Sequence, residues 1–345
     1  MSQAAQVVAA LRDWLAQDGA EPWIVETSGS TGRPKQVMLS RRAVRASIEL
    51  SARRLGGTAG PAAGRWLLAL PASYVAGVNV ITRSLAAGAP PVLLDDHRSF
   101  AEATEALGDD LPRFVSLVPT QLHRLLEAGG EDGAALASYH TVLLGGGPID
   151  PSLRARAAAA GARVVATYGS AETCGGCVYD GVPFDGVALA IGADGRVRIG
   201  GPVLFDGYRG DAELTAEVLV DGWFLTSDAG RLDEDGRLEL LGRIDDMVVT
   251  GGVNVPAAVV ARRLREHPEV RAAEVLGVPD EEWGNRLVAY VVGGVSLEDV
   301  RDWVGEAHPR AWAPRQLVVL PEIPHLPNGK ADRLALRGMV ERESA

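Results

Sequence analysis

Apolar residues recur along this chain at helical spacing in some segments and as short unbroken runs in others. Near the start, Val7, Val8, Leu11, Trp14 and Leu15 fall on one side of a helix. Five runs, "RWLLALP", "PPVLLDD", "RFVSLVP", "TVLLGGG" and "ARVVATYG", read as buried strands. Between them "SRRAVRASIELSARRL", "TQLHRLLEAG" and "PSLRARAAAAG" read as helices. Buried runs interleaved with helices predict α/β layers around a largely parallel sheet. In such sheets the loops after the strand carboxyl ends make the binding site, and "TVLLGGGPID" and "ARVVATYGSAET" are strand-then-glycine segments of that kind.

From Gly192 the pattern shortens to strands separated by Asp-Gly turns, in "ADGRVRIGG", "VDGWFLTSDAG" and "DEDGRLELLG". This predicts a small antiparallel β sub-domain ending near Gly242. "VVARRLREHP", "VRAAEVLGVP", "LVAYVVGG" and "RQLVVLPEIP" then predict a small α+β module. The expected division is an N-terminal domain, 1–244, and a C-terminal domain, 245–345.

A length of 345 residues exceeds one core, which agrees with two domains. The net charge of −11 argues against nucleic acid as a partner, so an anionic ligand needs local donors and placed cations. No basic stretch leads an apolar leader, and "RWLLALPASYVAGVNVI" is too broken to span a bilayer, so a cytoplasmic setting without a membrane span is expected. The two cysteines, Cys174 and Cys177, lack a second pair and ligand-spaced histidines, which favours two reduced structural thiols over a zinc site.

Residues 26–40, "ETSGSTGRPKQVMLS", concentrate the candidate chemistry. Thr27, Ser28, Ser30 and Thr31 offer hydroxyl donors, Gly29 and Gly32 allow close backbone approach, and Lys35 adds a cation. That is what a polyphosphate needs. The G-x-x-x-x-G-K-[ST] phosphate loop does not fit, because Pro34 stands where its second glycine would and Gln36 follows Lys35. The apolar flanks predict a strand–loop–strand turn.

Five motifs follow one another: "TSGSTGRPK", "TYGSAET", "WFLTSD", "LGRIDDMVVTGG" and "LPNGKADR". In that order they resemble the acyl-adenylate-forming (AMP-binding) superfamily of acyl-CoA synthetases, adenylation domains and luciferases, over residues 26–335. The resemblance implies a large N-terminal domain of layered α/β sub-domains with a small β sub-domain, and a small mobile α+β C-terminal domain. It implies ATP, Mg2+ and coenzyme A, a small carboxylate substrate, and, as in many relatives, a homodimer.

Residue by residue, the resemblance assigns Thr27, Ser28, Gly29, Ser30, Thr31, Gly32 and Lys35 to the ATP phosphates. Gly145, Gly146, Gly147, Pro148, Thr167, Tyr168 and Gly169 match the adenine and ribose segments, and Glu172 the magnesium carboxylate. Ala171 departs from the usual Thr or Ser before that glutamate, and Thr173 is expected to supply the missing hydroxyl. Asp228 and Arg243 match ribose contacts, Asp245 the hinge, and Gly251 and Gly252 a loop turning toward the pantetheine tunnel. Val259 and Ala261 replace the acidic residues usual after that loop. Lys330 matches the lysine bridging carboxylate and α-phosphate during adenylation.

The acid pocket falls in "ALPASYVAGVNVITRSLAAGAPPVLL", with Tyr74 where acyl-CoA ligases often have histidine. No aspartate stands between Leu70 and Pro90 to hold an α-amino group, which points away from amino-acid activation. Arg83 lies on an apolar helix, where it is either a snorkelling side chain or the anchor of a second substrate carboxylate. The segment, with "SLVPTQLHRLL" and "LLGGGPID", most resembles the o-succinylbenzoate–CoA ligases of menaquinone biosynthesis, in a compact form. On that resemblance Arg83 holds the aromatic carboxylate, and Tyr74, Gly77 and Val78 line the ring. Another aryl- or fatty-acyl-CoA ligase, or a non-catalytic adenylate-binding pseudoenzyme, stays open at this point.

Overall fold

The computed structural model describes residues 2–27, 35–56, 64–244, 247–324 and 331–343. The chain opens with α1 (Gln3–Ala16), β1 (Trp23–Thr27), β2 (Lys35–Leu39) and α2 (Arg41–Gly56). Next come β3 (Arg65–Leu68), α3 (Val75–Ala86), β4 (Val92–Leu93), α4 (Phe100–Glu105) and β5 (Arg113–Leu117). They are followed by α5 (Pro119–Ala128), α6 (Gly130–Ala135), β6 (Thr141–Leu144), α7 (Pro151–Ala159) and β7 (Val164–Ser170). Short strands then dominate: β8 (Gly175–Tyr179), β9 (Val182–Pro183), β10 (Ala188–Ile191), β11 (Arg196–Gly200) and β12 (Gly207–Tyr208). Helix α8 (Ala212–Val218) leads into β13 (Leu219–Val220), β14 (Trp223–Leu232) and β15 (Leu238–Arg243). The remainder holds β16 (Met247–Thr250), β17 (Val253–Pro256), α9 (Ala257–Arg265), β18 (Val270–Asp280) and β19 (Gly284–Gly293). Helix α10 (Leu297–Ala307), β20 (Gln316–Val319) and α11 (Arg333–Glu343) complete it.

The expected strands and helices form where the pattern placed them, although "PPVLLDD" keeps only Val92 and Leu93 as a half-buried strand before a single helical turn. Every residue of β6 is buried, and Phe114, Val115 and Leu117 of β5 are too. The central sheet has the order β4-β3-β5-β6-β7-β8-β9. Its first five strands pair in parallel, and β7–β8 and β8–β9 are antiparallel. Helix α7 starts where Asp150 accepts from the Ser152 N–H at 2.8 Å and Pro151 presets the first helical φ. Of the Asp-Gly turns, Asp221–Gly222 closes the β13–β14 hairpin with both φ values positive, at +51° and +80°. Asp180–Gly181 does the same between β8 and β9.

Two compact units result: one of Met1–Ala190, Arg198–Thr226 and Leu232–Leu238, the other of Ile191–Val197, Ser227–Arg231 and Glu239–Ala345. In the second unit, the β18–β19 hairpin buries both faces. Val275, Leu287, Ala289 and Val291 meet α9 and α10, while Leu276, Val288, Tyr290 and Val292 meet Leu336 and Val340 of α11. Helices α10 and α11 were not singled out in the sequence, although Ser296 and Asp299 form a capping box at the start of α10. Among the described residues no helix is long and apolar enough to cross a membrane.

One packing contact fixes how α3 sits. A Cβ at Gly77 would lie 2.1 Å from the Pro71 carbonyl oxygen, a backbone atom that cannot swing aside. Gly77→Ala is therefore expected to cost about 3 kcal/mol, the upper range of overpacking, read as a lowered urea midpoint. An unchanged midpoint would show that α3 slides freely.

Candidate active site

The order β4-β3-β5 means that the chain leaves β3 to one side and later returns on the other. At such a switch point the loops beyond the strand carboxyl ends diverge and open a crevice. Gln121 ties the two loops together. Its Nε2 donates to the Ala69 carbonyl at 2.7 Å, and its Oε1 accepts from the Val118 N–H at 3.1 Å. Beyond β6 stand Gly145, Gly146 and Gly147, followed by Pro148. Gly145 has no room for a side chain, since a Cβ would lie 2.3 Å from Thr167 Oγ1 on the neighbouring strand. The glycine run and Thr167 are thus brought together.

Strand β7 ends in a tight turn, Ala171–Thr173, closed by the Cys174 N–H donating to the Ala171 carbonyl at 3.1 Å. Cys174 takes a left-handed conformation, φ +50° and ψ +37°, rare for a residue with a Cβ. Gly169 packs so closely on β8 that a Cβ would come within 2.0 Å of the Gly175 carbonyl oxygen. Glu172 sits at the centre of this turn, its own carbonyl accepting from the Phe205 N–H at 2.9 Å. Its carboxylate Oε1 accepts from the Tyr208 hydroxyl at 2.7 Å.

Tyr208 was missed in the sequence because it lies 36 residues from Glu172, and only the pairing of β12 with β2 brings it back. That pairing sets Tyr208 opposite Val37. Lys35, two residues along the same face, then has its ammonium 5.3 Å from the Tyr208 ring centroid. Burial, and then the neighbouring Glu172 carboxylate, push the Tyr208 hydroxyl well above the ordinary phenol range, so it stays a donor. Thr27 pairs with Lys35 across β1 and β2, so the two expected flanking strands form and pair antiparallel.

Thr173 is where expectation and structure part. Its side chain is fully buried, and its hydroxyl lies 2.9 Å from the Ser170 N–H, 3.1 Å from the Ser170 carbonyl and 2.8 Å from the Gly175 carbonyl. A hydroxyl spent on three backbone groups cannot replace the one Ala171 lacks, so Thr173 holds the turn and does not reach a nucleotide. The two cysteines have the expected structural role. Both are free and buried, and burial pushes the Cys177 thiol up to about 12.

In the acid-pocket segment, Tyr74 precedes α3 and is 60% exposed, available to a ligand. Gly77 and Val78 are packed inward, Gly77 on the Pro71 backbone and Val78 nearly fully buried. Arg83 departs from the first of its two expectations. It is buried, 6% exposed, so it does not snorkel. Its guanidinium lies 5.7 Å from the ring centroid of Trp66, which stacks on Phe114. Trp66 and Phe114 are each the second residue of a parallel strand, so this cluster lies toward the amino-terminal ends, away from the glycine loops. Helix α3 starts at the carboxyl end of β3 and runs back, carrying Arg83 about 12 Å along its axis from Val75. Arg83 Nε and Nη2 have no hydrogen-bond partner among the described residues.

In the second unit, Arg243 Nη1 and Asp228 Oδ1 are 4.0 Å apart and both side chains are partly exposed, so the two expected ribose contacts share one place. Gly251 and Gly252 form the two-residue turn of the β16–β17 hairpin, with φ +55° and +77°. Gly251 is confined further by Trp283, whose ring would be 2.7 Å from an added Cβ. Val259 and Ala261 are buried in α9, which explains apolar residues there. Tyr168 and Gly169 lie at the end of β7. Ser28, Gly29, Ser30, Thr31, Gly32, Asp245 and Lys330 lie outside the described residues.

A lone carboxylate near the segment expected to meet phosphates suits Mg2+, which keeps waters and takes oxygens from substrate phosphates. Glu172 has its second oxygen left for such a role, and no cluster of three or more metal-binding side chains occurs among the described residues. The donor set therefore fits a magnesium ion that arrives with a nucleotide.

Comparisons with known proteins agree with this geometry. Residues 23–208 match the family model of the AMP-binding enzyme, and 260–330 that of the AMP-binding enzyme C-terminal domain. A probable 2-succinylbenzoate–CoA ligase of Mycobacterium tuberculosis is 41% identical over 97% of this chain and 88% of its own length. The o-succinylbenzoate CoA synthetase of Bacillus subtilis, in complex with the acyl-adenylate intermediate OSB-AMP, superposes with a TM-score of 0.74 at 29% identity, over 91% of this chain and 68% of that one. An amide bond synthetase of Marinactinospora thermotolerans gives 0.76 at 30% identity, over 92% and 68%. With a matching family model across most of the first unit and a near-full-length relative, the chain belongs to the AMP-binding enzyme family.

Proposed function

We propose that the chain is an AMP-forming carboxylate–CoA ligase that converts o-succinylbenzoate to o-succinylbenzoyl-CoA, in a cytoplasmic step of menaquinone biosynthesis. The observation that carries this reading is the 41% identity to a probable 2-succinylbenzoate–CoA ligase along almost the whole chain. The likeness to a synthetase holding its acyl-adenylate supports the chemical route. Two free, buried thiols suit a reducing compartment.

On this reading the substrate carboxylate oxygen attacks the α-phosphorus of ATP, the bond to the β-phosphate oxygen breaks, and pyrophosphate leaves. Lys35 and the 27–32 segment neutralise the departing charge, and Lys330 bridges carboxylate and α-phosphate. Magnesium, when bound, offsets phosphate charge, and Glu172 is the residue that would hold it. The sulfur of coenzyme A then attacks the acyl carbon, the bond to AMP breaks, and the thiol proton passes to solvent. Residues from 245 onward, turning about Asp245, exchange Lys330 for the Gly251–Gly252 turn between the two steps. Tyr74 faces the acid, and Arg83 stays a packing residue on Trp66.

The test is mass spectrometry of products from MgATP, coenzyme A and a panel of o-succinylbenzoate, benzoate and a medium-chain fatty acid, with an amine offered in parallel. The expected result is the coenzyme A thioester of o-succinylbenzoate, with the same preference in Arg83→Leu. A different preferred acid overturns the menaquinone assignment. An amide in place of a thioester moves the chain toward the amide-forming relatives. No pyrophosphate from any acid supports an adenylate-binding pseudoenzyme.

A further inference from the structure

We propose that Asn79 and Ser47 are positioning residues that aim the Glu172 carboxylate, an inference that rests on the reading of Glu172 given above. Asn79 lies in the most apolar part of α3, between Val78 and Val80, and is 5% exposed. A buried amide is costly unless its polar atoms are engaged. Its Nδ2 donates to the Cys174 carbonyl at 2.8 Å. Ser47 of α2, 1% exposed, aims its hydroxyl at the same oxygen from 3.3 Å. Two helices outside the sheet thus converge on one backbone carbonyl, filling both of its lone pairs.

That carbonyl belongs to the one residue of the Glu172 turn with an unfavourable backbone. Left-handed geometry costs a residue with a Cβ roughly 1–2 kcal/mol, and it persists where surrounding contacts over-determine it. Cys174 has that geometry, at φ +50°. The Asn79 amide also occupies the space a side chain at 175 would need, since a Cβ on Gly175 would meet Nδ2 at 2.0 Å. Glu172 is therefore fixed from three directions: Tyr208 at its carboxylate, Phe205 at its carbonyl, and the clamped Cys174 two residues on. Removing the clamp frees Cys174 to relax to ordinary backbone angles, which turns the Cα–Cβ bond of Glu172 from the direction in which Tyr208 holds its carboxylate, so that a metal held by Glu172 would be bound more weakly.

A buried asparagine with a purely structural role would lower stability and leave metal dependence alone, so binding separates the two. ATP is titrated calorimetrically into the full chain once with Mg2+ and once with EDTA, and the ratio of the two affinities is the magnesium increment. In Asn79→Ala the increment is expected to fall roughly 10-fold, as for other residues that orient a metal ligand, with metal-free ATP affinity within about twofold of native. Ser47→Ala is expected to lose about threefold, for its longer hydrogen bond. A folded Asn79→Ala chain with the native increment overturns the proposal. Should Asn79→Ala not fold, Ser47→Ala decides alone, and a native increment there overturns it equally. A native chain with no magnesium increment overturns the reading of Glu172, and this inference with it, and is told apart because the variants then never enter.

Discussion

Glu172→Gln is expected to lower kcat/KM for adenylate formation by roughly 10²–10³-fold, the effect of losing a few kcal/mol of metal-linked charge stabilisation. The substitution is clean because glutamine keeps a side-chain oxygen that accepts from the Tyr208 hydroxyl, so the turn stays where it is. Only the negative charge goes. Pyrophosphate release at saturating acid and varied MgATP measures it, and thermal melting should differ by no more than a few degrees. Loss of stability together with activity would point to Glu172 as a support for β12 through Tyr208, and near-native turnover would remove it from the phosphate site.

Lys330→Ala separates the half-reactions. Adenylation is expected to fall by about 10³-fold, because an ammonium bridging two like-charged reactants acts in that transition state above all. Thioester formation from a supplied o-succinylbenzoyl-adenylate is expected to change less than about threefold, since the reacting anhydride no longer needs that cation. Single-turnover mass spectrometry of each step reads both numbers. Equal losses would mean that Lys330 serves both steps, and the exchange of Lys330 for the Gly251–Gly252 turn would then be wrong.

Much of the fold was legible because its strands are buried on both faces and announce themselves as unbroken apolar runs, as β5 and β6 do. Asp221–Gly222 marked a hairpin because its backbone angles suit few other pairs. Motif order carried the family. Spacing could not carry direction, however. The apolar pattern of α3 left Arg83 either snorkelling at the helix edge or anchoring a ligand, and could not show that the helix runs back from the β3 carboxyl end and leaves Arg83 against Trp66. Thr173 looked available because a hydroxyl beside a glutamate reads the same whether it points to ligand or to backbone, and only the turn geometry decides. Tyr208 and Asn79 reach the Glu172 turn through β12 and α3, contacts of long sequence separation that no local pattern records.

The pairing of Thr27 with Lys35 has a consequence for how this site can vary. β2 is held on one side by β1, from Trp23 opposite Leu39 to Thr27 opposite Lys35, and on the other by β12. The register that places Lys35 is therefore written in residues outside the stretch between Thr27 and Lys35. Folding and turnover can thus select on different residues of one motif: the strands fix where the cation stands, whatever chemistry it then serves.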